Sequence, residues 1–238
     1  MVEKFNYYDA IAHLIPGTIG CLFVLYTLDL LGIALPRPDV GSLGAAGIGI
    51  AVAYTLGHLL QSLASSLEPL YYALWGGKPS VRLLENKSRQ FSDQQREQMI
   101  GQLIHFFKVD EKCPEDRKGA RNFYQRLFER CMALCNRSKL GRVDAFNAIY
   151  GFHRVLLTTF LLGFATYVAI WVVQHCGGLD IPPAKISLLK SLALLTGMGA
   201  GIEIFRARKR AYYYAREVLW MTSDHIRASS STSEESKA

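Results

Sequence analysis

The apolar run over residues 187–205 ends on Glu203, Ile204 and Phe205 and passes, with no turn residue, into Arg206, Arg208, Lys209 and Arg210, then Tyr212, Tyr213 and Tyr214. A helix that is apolar for a bilayer's length and then turns basic and aromatic fits one environment. Its apolar half suits hydrocarbon, and its basic half suits the headgroups of the face that collects Lys and Arg. Every other segment must then be placed relative to that face.

Three further blocks have span character: residues 12–34, 42–67 and 155–174. Each is near the roughly 20 residues that hydrocarbon requires. Two short connections, 35–41 (LPRPDVG) and 177–186 (GGLDIPPAKI), are closed by Pro and Gly and carry one acid and one base each. The segment 68–153 holds fifteen Lys and Arg against ten Asp and Glu, and residues 206–238 hold seven against four. The charge asymmetry predicts a multi-pass protein of the inner (plasma) membrane, with both termini and the 68–153 segment in the cytoplasm. A formal charge of +7 and a mean hydropathy of +0.12 are therefore averages over a divided chain. The excess base reads as a topology and lipid signal, with anionic lipid as the partner rather than nucleic acid. The opening MVEKFNYYDA is followed by no small-residue cleavage pattern, so the first apolar block reads as a retained span.

No stretch alternates with strand period, and the expected fold class is all-α. Four spans would be joined to a small cytoplasmic helical subdomain and a helical C-terminal tail. The expected divisions are a transmembrane hairpin over 1–67, the helical region 68–153, a second hairpin over 154–205, a basic and aromatic tail helix over 206–228, and a disordered end over 229–238. Within 68–153, Ser92 or Asp93 caps a helix reaching 107, with Met99, Leu103, Phe106 and Phe107 on one stripe. A second helix over 115–137 carries Phe123, Leu127, Phe128, Cys131 and Leu134 at helical spacing. A long helix over 140–175 enters the membrane. A block of this size is small for an independent core, so it is expected to pack on the tail helix or on neighbouring copies.

Candidate sites fall into three groups. Gly44, Gly49, Ala53 and Gly57 in the second span, and Gly197 and Gly201 in the fourth, have the small-residue spacing that lets helices approach closely. Tyr54, His58, Gln61, Ser62 and Ser65 form a polar stripe in the second half of span two. His58 and Glu203 share a depth, which allows an interhelical hydrogen bond or a water-lined gate. The basic groups Arg206, Arg208, Lys209 and Arg210, with Arg121, Arg126 and Arg130, suit anionic lipid, a cytosolic trigger protein or a phosphate-bearing nucleotide ligand. Five cysteines, odd in number and scattered, imply neither a disulfide framework nor a zinc site. No nucleophile elbow, phosphate-binding loop or HExxH is present. The GMGAG at 197–201 lies inside an apolar span and reads as helix packing. No catalytic residue, cofactor or metal is expected, and the chain reads as a non-enzyme.

Two stretches, YYDAIAHLIPG at 7–17 and FNAIYGFHR at 146–154, resemble a group of bacterial four-span membrane proteins with "YD…LIPG" and "FN…YGF.R" elements. That group is similar to the accessory membrane proteins of anti-phage and CRISPR systems. The resemblance implies an inner-membrane effector that oligomerises, with pore-forming or membrane-impairing action when triggered, and it implies no catalytic residue. The residues themselves leave two further readings open: a membrane scaffold that anchors a cytosolic partner through 68–153, and a membrane enzyme.

Overall fold

The computed structural model describes residues 7–33, 43–85, 90–109, 112–140 and 142–235. Among these residues eight helices follow one another and no strand occurs. They are α1 (Tyr7–Leu30), α2 (Leu43–Ser66), α3 (Glu68–Leu74), α4 (Pro79–Leu84), α5 (Asp93–Phe106), α6 (Arg117–Ser138), α7 (Val143–His175) and α8 (Pro183–Glu235). Helices α1, α2, α7 and α8 are each long and apolar enough to cross a membrane. The fold is all-α with four spans, and the chain is a multi-pass membrane protein. The expected 35–41 turn lies outside the described residues.

Helix α8 has 53 residues. The end over 229–238, expected to lack structure, is helical as far as Glu235. Neither Gly nor Pro follows Gly201, so nothing in the chain stops a hydrogen-bond ladder once it is running. Pro16 lies inside α1.

The chain divides into two compact units, one of residues 1–68 and 148–207, the other of residues 69–147 and 208–238. The expected boundary at 153 thus falls inside the membrane unit.

In the membrane unit, α1 and α2 cross where neither has a side chain to separate them. A methyl on Gly17 would overlap the Ala53 carbonyl, and one on Gly57 would overlap the His13 carbonyl. Helix α7 meets α1 at Phe23, whose ring lies against Gly163 and 6.0 Å from the Phe160 ring. The Tyr167 hydroxyl donates to the Phe23 carbonyl at 3.3 Å. Leu60 and Ala64 of α2 bury against Val155 of α7. At the end bearing the 176–182 turn, Leu30, Tyr167, Ile170, Ile181, Leu189 and Leu192 form one cluster. Lys185 closes that end by pairing with Asp29 at 3.1 Å.

The polar unit is a helical cluster whose core takes Leu103 from α5, Phe123, Leu127, Phe128, Cys131 and Cys135 from α6, and Ala215, Val218 and Leu219 from α8. The tail helix is therefore part of this core, one of the two packings expected for a block of this size. Ser92 and Gln95 close a capping box at the start of α5, and Asp116 caps α6 through the Gly119 amide at 2.7 Å. The short α4, unanticipated in the sequence, begins at Pro79 after a turn in which Gly76 and Gly77 hold φ of 78° and 128°. These values suit glycine, and the Arg82 guanidinium locks the turn by donating to the Trp75 and Gly76 carbonyls at 3.0 Å each. Burial pushes the Cys131 thiol up to about 12 and raises the Cys135 thiol as well. Both stay protonated and inert at neutral pH.

Candidate functional site: a polar network within the membrane unit

On α7, Tyr150, His153 and Arg154 stand at i, i+3 and i+4 and so share a face. The next residues on the helix, Val155 to Thr159, are buried, which holds that face in one rotation. Glu68, directly beyond α2, accepts from the Tyr150 hydroxyl at 2.7 Å and from the Arg154 guanidinium at 2.8 Å. Arg154 also donates to Ser65 Oγ at 3.1 Å, and its guanidinium lies 5.3 Å from the centre of the Tyr150 ring. One arginine thus ties the end of α2 to α7.

The second half of the network joins α7 to α8. His153 Nδ1 lies 2.7 Å from Glu203 Oε2, with the residues 8% and 5% exposed. A buried carboxylate without a partner would be costly. Here one hydrogen is shared with the imidazole, whichever group carries it. Arg206 Nη1 approaches the other carboxylate oxygen at 3.7 Å from a largely exposed position.

A third group lies at the α1–α2 crossing. The His13 and His58 rings stack with centroids 4.0 Å apart and planes at 23°. Tyr54 stands edge-on to His58 at 4.6 Å. Beyond His58 on the same helix, Ser62 and Ser65 donate to the carbonyls of His58 and Gln61 at 3.1 and 3.0 Å. Each hydroxyl oxygen is left able to accept from elsewhere.

The expected His58–Glu203 pair is not formed. Glu203 lies on the α8 stripe Leu192, Thr196, Ala200, Glu203 and Ala207, all buried, and its partner is His153. His58 pairs with His13 and is exposed, and Gln61 is half-buried. Of the small residues, Ala53 and Gly57 make the α1 crossing, and Gly197 packs on the Phe164 ring. Gly44, Gly49 and Gly201 have no neighbour within 4 Å of a built Cβ. Gly49 instead lines an open apolar recess of about 820 Å³ with Cys21, Val24, Leu25 and Ile48.

The arginines of α6 do not form one open cluster. Arg121 pairs with Glu85 at 3.2 Å and Arg130 donates to the Phe107 carbonyl at 3.2 Å, while Arg126 is exposed. On α8, Arg208 and Lys209 are exposed and Arg210 is half-buried. Lys209 and Arg216 flank the Tyr213 ring at 5.7 and 5.1 Å.

Sequence reasoning missed His13, Glu68, Tyr150, His153 and Arg154 as site residues. Their signal was present in the i, i+3, i+4 spacing of Tyr150, His153 and Arg154, and in a lone carboxylate following directly on a span. Among the described residues no group of three or more His, Cys, Asp or Glu is placed to hold a metal. The network offers charge pairing between spans and no activated nucleophile. No family model, curated protein or solved structure matches the chain.

Proposed function

We propose that the chain is a non-enzymatic inner-membrane effector that assembles with copies of itself and permeabilises the membrane. One observation carries this reading. Gly44, Gly47, Ala51, Thr55, His58, Ser62 and Ser65 recur at helical spacing along α2, and all of them are exposed. From one end of the span to the other this face has only small or polar side chains. Lipid gives such a face no packing advantage, and its polar groups are costly in hydrocarbon. Close contact between copies, or water held among them, removes both penalties.

The polar unit would then lie in the cytoplasm with both termini, and anionic lipid would meet Arg206, Arg208 and Lys209. A cytosolic trigger acting on the polar unit fits the continuous α8. The resemblance of the 7–17 and 146–154 motifs to membrane proteins of anti-phage systems supports a defence role. A scaffold reading draws support from the polar unit's own recess of about 150 Å³, lined by Phe91, Gln95, Met99, Trp220 and Arg227, where a partner could dock.

The test is induction in bacteria loaded with a potential-sensitive dye. Wild-type protein should depolarise the cells and arrest growth. Ala51→Leu, which fills the α2 face, should insert at the same level and leave the potential intact. Normal potential at full wild-type expression would favour the scaffold.

A further inference from the structure

We propose that the ion passed by this assembly is the proton, relayed by the His13–His58 pair. The inference rests on the permeabilising reading above and names its cargo.

The α2 face is poor in groups that bind metal cations. Between Gly44 and Ser65 this face carries no carboxylate, so it offers no ring of anions to draw in metal cations. Its hydroxyls are committed as donors to their own helix. Thr55 donates to the Ala51 carbonyl at 2.9 Å, as Ser62 and Ser65 do to theirs. They can orient water, but they form no cage of oxygens. The one imidazole on the face is His58, a group that can both accept and release a proton. It stands about 20 Å along the helix from Gly44 and about 15 Å from Glu68, well inside the span.

The stack with His13 supplies the rest. An imidazole can take a proton at one ring nitrogen and release another from its second nitrogen. The relay step is balanced on that basis. A hydronium ion on one side gives a proton to the unprotonated nitrogen; one of its O–H bonds breaks, an N–H bond forms and water is left. The resulting imidazolium gives up its other N–H proton to water on the far side and returns to neutral. Only N–H and O–H bonds change, and no electron moves. Two rings 4.0 Å apart cannot both hold a positive charge without strong repulsion. A proton arriving on one ring therefore favours departure from the other. Tyr54, the third ring of the contact, packs edge-on against His58 at 4.6 Å and holds the His58 plane.

The test uses the full-length protein in phosphatidylcholine–phosphatidylglycerol vesicles with an internal pH dye, under a potassium gradient set by valinomycin. Potassium permeability is read separately without valinomycin. Wild type should acidify the vesicles while remaining tight to potassium. His58→Gln keeps a polar side chain without the proton chemistry, and it should lower proton flux at least about tenfold. His13→Phe should act likewise, and Tyr54→Phe should keep most of the flux. Crosslinked oligomers should be the same in all four proteins. Wild-type proton flux in His58→Gln would overturn the relay. Potassium crossing as fast as protons would overturn proton selectivity and leave the permeabilising reading intact. Vesicles tight to every ion, with no oligomer, would overturn both.

Discussion

Glu203→Ala is expected to lower the thermal midpoint of the detergent-solubilised protein by on the order of 10 °C, from a loss of about 3–5 kcal/mol. The substitution leaves His153 buried, at 8% exposure, with its carboxylate gone. It also removes the 2.7 Å hydrogen bond that joins α7 to α8 inside the packed stripe. Arg206→Ala is the control. Its guanidinium is largely exposed and 3.7 Å from Glu203, so its loss should cost less than about 1 kcal/mol. Glu203→Gln keeps an acceptor for the imidazole N–H and should fall between the two. Equal midpoints for Glu203→Ala and Arg206→Ala would show that the buried pair is not what holds the helices together.

Gly57→Val should be the most damaging change in the first hairpin. The added side chain meets the His13 carbonyl, which belongs to the backbone and cannot rotate away. Overpacking of side chains typically costs about 1–3 kcal/mol, and a backbone collision exceeds that range. The α1–α2 crossing should open, and the monodisperse protein peak in mild detergent should be lost. Gly49→Val is the matched control, because it adds the same atoms to open space at the recess. It should leave that peak unchanged. If both variants behave alike, β-branching in a helix is the cause and the close crossing is not.

The four spans were legible because length and composition alone decide them. The α5 start at Ser92 or Asp93 and the apolar stripe of α6 were legible because they rest on local spacing, whereas the Asp116 cap, one residue inside the expected start of α6 at 115, was not. Rotation of one helix against another was not. Depth matching allowed His58 to meet Glu203, but it does not say which way Glu203 faces. That direction is set by the buried α8 stripe through Thr196, Ala200 and Ala207, which turns Glu203 toward His153. The small residues carried the same ambiguity. Ala45, Gly49, Ala53 and Gly57 have identical spacing, yet only Ala53 and Gly57 lie at the α1 crossing, where Gly17 supplies the matching gap. Gly17, directly after Pro16, is the contact point on α1.

In the proposed assembly the α2 face carrying Gly44, Gly47, Ala51, Thr55 and Ser62 meets the same face of other copies. Single cysteines at these five positions, in a background without the five native cysteines, can be oxidised in native membranes and read as crosslinked dimers. Crosslinking should peak at all five and be absent at Ala53, Leu60 and Ala64, which are buried within one copy. Crosslinking that is uniform along α2, or confined to positions such as Ile50 and Leu63 outside that face, would contradict it.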